Sequence, residues 1–233
     1  MLAALGLARA VLVQPSVYAA DNTVMLEALR ESGSAFRGVA VVDWAIGDAA
    51  LESMHAAGVR GVRVNIVDVK SGKRTLPLDL LRALARRIAP FGWHMEFLMH
   101  VDEFVSLERD LADFPVDVVF GHLGYIRTDK GLAAPGFQAL LRLLKAGRSW
   151  VKLTGPYRIS TSALPYADVT PFAQALMEAA PERLLWGSDW PHVMLKGAMP
   201  NDGEIADLLQ VWIPDDDQRR KVLVENPARL YGF

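Results

Sequence analysis

The stretch Trp186-Gly187-Ser188-Asp189-Trp190-Pro191-His192 places an acid, a serine and a histidine between two tryptophans. A carboxylate there could cap a turn, or it could take a proton from water as a general base. Other reactive side chains follow short apolar runs along the chain. They are Ser16 after Gln14-Pro15, Asp43, Arg63 and Asn65 with Asp68 and Lys70 beyond, and His100. The set continues with His122 and Tyr125 in Gly121-His122-Leu123-Gly124-Tyr125, and with Arg158 in Thr154-Gly155-Pro156-Tyr157-Arg158. Flanking glycines allow close backbone approach at His122, which marks it as a site residue. His100 reads as a core histidine satisfied by backbone, His192 as a first or second layer around the site, and His55 and His94 as structural. A guanidinium cannot be buried unpaired. Arg63 and Arg158 therefore face either protein carboxylates or a planar anion such as a dicarboxylate.

Several chemistries are excluded or disfavoured. The chain has no cysteine, so it has no disulfide, thiolate metal site or cysteine nucleophile. Ser16 and Ser188 lack a Gly-x-Ser-x-Gly elbow, and no glycine-rich phosphate loop is present. A formal net charge of −2 gives no reason to expect nucleic acid or an acidic membrane as a partner.

The apolar runs that carry these residues span 10–13, 38–42, 61–67, 94–99, 116–120, 150–153 and 183–186. They are continuous and rich in β-branched residues, as strands buried on both faces are. Helical stripes lie between them. Leu81, Leu84, Ala85 and Ile88 form one, and Phe137, Leu140, Leu141 and Leu144 form another that ends near Gly147. Asp48 is placed to cap a helix carrying Leu51 and Met54. Pro171 marks the start of a helix with Phe172, Leu176 and Met177, and two more helices cover 204–211 and 216–223. Strand–helix alternation predicts α/β architecture with a mostly parallel sheet, and sites in such folds form at the C-terminal strand ends. Seven strands are legible, where a closed barrel needs eight. The apolar start, residues 1–13, reads as a helix tail over 2–7 entering a strand, rather than as a signal peptide. No apolar run reaches the ~20 residues that cross a bilayer. A cytoplasmic location is the expectation.

The segments QPSVYAADN, RGVAVVD, GVRGVRVNIV, FGHLG, VKLTGPYRIS, LLWGSDWPH and NPARLYGF, in this order, resemble the amidohydrolase-related family of the metal-dependent hydrolase superfamily. Within it they are most similar to the 2-pyrone-4,6-dicarboxylate hydrolase (lactonase) group. The resemblance implies one distorted (β/α)8 TIM barrel over residues 1–233, N-terminally incomplete because its first strand is missing. It implies that Asp189 activates the hydrolytic water and that His122 polarises or orients the substrate. It implies that Ser16, Arg63 and Arg158 bind substrate carboxylates or carbonyl, with Tyr125 standing where the group carries a further arginine. Burial beneath Trp186 and Trp190 would raise the Asp189 carboxyl modestly.

The function so implied is hydrolysis of a cyclic carboxylated ester, a pyrone or lactone. The alternatives are a metal-dependent decarboxylase of the same superfamily and an impaired remnant that only binds anions. The superfamily's first-strand His-x-His is absent from this sequence, and one histidine with one aspartate is too few for a tight site. No cofactor is therefore expected, against the alternative of zinc or manganese. The expected partners are a small carboxylate substrate and, through open strand edges, further copies of the chain.

Overall fold

The computed structural model describes residues 1–67, 76–104, 106–195 and 197–233; Asp68 and Lys70, named above, lie outside the described residues. The strands are β1 (Ala10–Val13), β2 (Phe36–Ala40), β3 (Val59–Asn65), β4 (His94–Leu98), β5 (Val118–Phe120), β6 (Ser149–Thr154) and β7 (Leu184–Gly187). They pair in sequence order, every neighbouring pair parallel, and the sheet curls into an open barrel. Among the described residues β1 does not pair with β7. Each strand lies within two or three residues of the apolar run that announced it.

Helices cover the convex side: α1 (Thr23–Ser32), α2 (Asp48–Ala56), α3 (Leu78–Ile88), α4 (Leu107–Leu111), α5 (Pro135–Lys145), α6 (Thr170–Ala179), α7 (Asp202–Trp212) and α8 (Asp216–Arg220); α9 (Asn226–Tyr231) follows. α3 buries Leu81, Leu84, Ala85 and Ile88, all of its expected stripe. α5 buries Leu143 rather than Leu141, so its stripe is rotated by part of a turn from the expected one. Asp48 does not cap α2; Gly47 holds the N-cap position, and Asp48 pairs with Arg87 at 2.6 Å. The last helical stretch is longer than expected, because a π-helical segment Lys221–Glu225 joins α8 to α9. The N-terminal helix is a short 3-10 turn, Leu2–Leu5, stopped by Gly6 in the left-handed region.

Alternation along the strands sorts side chains into two layers. Val62, Val64, Met95, Phe97, Val151, Leu153, Leu184 and Trp186 join the large core under the helices. On the concave side Val39, Val119, Trp150 and Leu185 form an apolar plug with Tyr231, which reaches in from the end of α9, the helix that closes the N-terminal end of the strands rather than their convex face. Further up the concave side come Arg63 of β3, Glu96 of β4 and Lys152 of β6, a charged layer. Above it the C-terminal strand ends carry Asn65, His122, Thr154 and Asp189.

Candidate active site

Asp189 follows β7 with φ +67°, His122 follows β5 with φ +48°, and Tyr125 and His192 also hold positive φ. Non-glycine residues rarely adopt this region, and such residues collect at functional sites. Here the tight turns bring side chains from three strand ends together. Asp189 Oδ1 lies 4.0 Å from His122 Nε2. Asp189 Oδ2 accepts from Arg158 Nε at 2.5 Å and from the Tyr157 hydroxyl at 2.6 Å. Gly155 makes this crowding possible. A Cβ there would sit 2.9 Å from both Asp189 Oδ2 and His122 Nδ1, and its φ is +56°.

Two groups of Thr154 meet His122. Oγ1 accepts from the His122 backbone N–H at 3.3 Å and lies 3.0 Å from Nδ1, and the Thr154 carbonyl lies 3.4 Å from Nδ1. The hydroxyl can give a proton to Nδ1 or accept one from it, whereas the carbonyl can only accept. Nε2 is the nitrogen aimed at Asp189. Burial lowers the His122 pKa to about 4, and the nearby Arg158, Lys152 and Arg63 charges act in the same direction. The imidazole is therefore neutral near pH 7. Burial pushes the Asp189 carboxyl upward, yet the balance holds it below the usual carboxylate range. The causes are the His122 ring, which is charged at the low pH where this carboxyl titrates, then the Arg158 guanidinium and the Tyr157 hydroxyl.

This corrects the expected role of the tryptophans. Trp186 faces the helix layer because it alternates with the concave Leu185, and Trp190 is 60% exposed. Neither forms a dry wall over Asp189, and the carboxyl is lowered rather than raised. The site also includes Tyr157 and Thr154, to which the sequence attached no role.

The remaining expected residues sit on the neighbouring strand ends. Arg63 donates to the Gln14 carbonyl at 2.7 Å, and Asn65 donates to Ser16 Oγ at 2.8 Å. Tyr125 sets its ring edge-on to His122, with centroids 5.3 Å apart. Its carbonyl is 2.8 Å from His100 Nδ1, so His100 is satisfied by backbone. His55 takes a hydrogen bond from Trp93, away from the site. Beneath His122, Glu96 and Lys152 form a buried ion pair. Burial pushes Glu96 up, but Lys152 and Arg63 outweigh it and hold the carboxyl down. A charged residue inside an apolar strand was the signal available for both, as it was for Arg63.

The residues present do not fit a catalytic metal. Among the described residues no cluster of three or more His, Cys, Asp or Glu side chains could hold an ion. Asp189 Oδ2 is engaged by the Arg158 guanidinium, a cation that competes with any ion at this carboxylate. A separate cavity of about 310 Å³ opens at the opposite end of the barrel. Its Asp117 is engaged by Trp150 and Arg183.

The sequence profile described as amidohydrolase matches residues 1–233. A 2-pyrone-4,6-dicarboxylate hydrolase of Comamonas testosteroni is 38% identical, covering 97% of this chain and 77% of its own. A 4-sulfomuconolactone hydrolase of Hydrogenophaga intermedia is 33% identical over 100% of this chain and 77% of its own. A crystal structure of a candidate 2-pyrone-4,6-dicarboxylic acid hydrolase from Pseudomonas putida superposes with a TM-score of 0.88 at 33% identity, covering 99% of this chain and 84% of that one.

Proposed function

Since this chain belongs to the amidohydrolase family, we propose that it hydrolyses a cyclic ester carrying carboxylates, a pyrone or lactone. Relatives named as hydrolases of such compounds support the reaction class. The observation that carries the reading is the approach of Asp189 Oδ1 to a neutral His122 at 4.0 Å, from the C-terminal ends of β7 and β5, across β6. Both atoms can reach one oxygen, of water or of a carbonyl, that lies to the side of the line joining them.

Asp189 takes a proton from water, and the resulting hydroxide attacks the ring carbonyl. Neutral His122, in the tautomer that carries its proton on Nε2, gives a hydrogen bond to the developing oxyanion, a donor aimed at the place where charge appears. Arg158 holds a substrate carboxylate. It uses Nε on Asp189 and one terminal nitrogen on the Val193 carbonyl, which leaves its outer edge to meet the substrate. Arg63, Ser16 and Tyr125 complete the substrate-binding rim, so that attack occurs within an oriented complex. The tetrahedral intermediate then collapses, the ring C–O bond breaks, the proton held by Asp189 passes to the leaving oxygen, and the open-chain acid leaves with Asp189 ionised again. No step passes through a metal.

The test is turnover of a panel of carboxylated pyrones and lactones by the wild-type chain and Asp189→Asn, with products identified by mass. Addition of water to the substrate by the wild type, lost in the variant, is the expected result. A product of unchanged mass would replace hydrolysis by isomerisation. Anion-induced thermal stabilisation with no turnover would make the chain a binding protein. Carbon dioxide release would make it a decarboxylase.

A further inference from the structure

Tyr157 stands between two groups. Its hydroxyl lies 2.6 Å from Asp189 Oδ2 and 2.7 Å from His192 Nδ1. A tyrosine hydroxyl has one proton to give, and an ionised carboxylate can only accept. The Tyr157 proton is therefore on the Asp189 side. The second contact is then a hydrogen bond only if His192 carries a proton on Nδ1 and donates it to the Tyr157 oxygen. Burial and the Asp189 charge both push the Tyr157 ionisation upward, so the hydroxyl stays protonated.

His192 is rigidly placed for this. Its side chain is fully buried, its backbone N–H donates to the Asp189 carbonyl at 2.7 Å, and its ring meets the Tyr157 ring edge-on. Asp202, at the first turn of α7, brings Oδ1 to 3.2 Å from His192 Nε2, off line for a hydrogen bond. It acts on the ring through charge more than through direction. Arg158 is the other charge in the group, and it holds Asp189 from the opposite side.

We propose that Tyr157 and His192 are positioning residues, in which the Nδ1–H of His192 fixes the Tyr157 hydroxyl proton on Asp189 Oδ2 and leaves Oδ1 alone to act on water. The inference rests on Asp189 being the base. Without Tyr157 the carboxylate keeps Arg158 as the one side-chain donor shown on Oδ2, so a lone pair there is freed and the bias toward Oδ1 is weakened.

The test pairs a conservative variant with a disruptive one. Asn places an N–H where His carries Nδ1, whereas Leu does not. For turnover of 2-pyrone-4,6-dicarboxylate, Tyr157→Phe and His192→Leu should lower kcat by at least about tenfold with KM within about twofold, and His192→Asn should stay within about threefold of wild type. The acid limb of the pH profile should move to higher pH in Tyr157→Phe and His192→Leu, a shift that a purely structural defect would not give. Ring nitrogen spectra of the free protein, which need no substrate, should show His192 protonated at Nδ1. An unprotonated Nδ1, or an unmoved acid limb in His192→Leu, overturns the proposal. If the wild type turns nothing over, the function fails, and the spectra still decide the order of the hydrogen bonds. If Tyr157→Phe does not fold, the His192 pair decides alone.

Discussion

Arg158 donates through Nε to Asp189 Oδ2 at 2.5 Å, so the residue that should hold the substrate also holds the base. A guanidinium bound this way stabilises the carboxylate over the acid. Arg158→Met should then have two separable effects. KM should rise because a carboxylate anchor is gone. The acid limb of kcat/KM should move to higher pH, because the Asp189 carboxyl loses a group that depresses it. The sign follows from the base being active only when ionised. An acid limb that stays in place in a folded variant would mean that another group controls it.

Gly155 separates crowding from charge. A Cβ would sit 2.9 Å from Asp189 Oδ2 and from His122 Nδ1, in a backbone conformation with φ +56°. Gly155→Ala should cost about 1–2 kcal/mol for the left-handed backbone alone. It should also push Asp189 and His122 apart, so that kcat falls by more than the stability change accounts for. Denaturant unfolding and steady-state kinetics on the same preparation measure both. Unchanged kcat would show that the two side chains act independently.

The buried pair under the site gives a third expectation. Lys152 and Glu96 have side chains only 14% and 4% exposed. Lys152→Met leaves Glu96 buried with Arg63 as its remaining cation, and breaking such a pair costs about 3–5 kcal/mol. Replacing both residues with apolar ones should recover much of this loss. Urea unfolding of the single and double variants checks it. The Lys152 charge also opposes protonation of His122, so the His122 pKa should rise in Lys152→Met, as a histidine titration by NMR would read.

Acid should weaken the fold through two histidines. Burial lowers both His94 and His122 from 6.5 to about 4. Between those values the unfolded chain binds protons that the folded chain does not. Stability therefore rises with pH over this window. It is fully present above about pH 6.5 and is lost as pH falls toward about 4. The depressed Asp189 carboxyl has the same sign at lower pH, its contribution being lost as pH falls through its folded value. Unfolding free energy measured from pH 7 to pH 4 should decline, and His94→Phe should flatten the slope. A pH-independent stability across that window would contradict buried neutral imidazoles.

The strands were legible because burial on both faces leaves continuous apolar runs, and the site residues because they follow those runs. Asp189, His122 and Arg158 come together as read. What the sequence could not show is which partner a buried charge takes. Arg158 could have faced substrate or protein, and hydrogen-bond geometry puts its Nε on Asp189. Trp186 looked like part of the site from its neighbours in sequence, but strand alternation sends it to the other side of the sheet. Tyr157 was invisible because its role depends on two residues more than thirty positions away.

The open sheet leads to the last expectation. β1 pairs only with β2 and β7 only with β6 among the described residues. β1, Ala10–Val13, carries no charge or proline within the strand, the devices that usually keep an edge from pairing. We expect the chain to self-associate through these edges. Light scattering during size-exclusion chromatography should give a mass above 25.6 kDa that grows with concentration. A concentration-independent monomer would show that the edges are protected, and hydrogen exchange at the β1 amides would then be slow rather than fast.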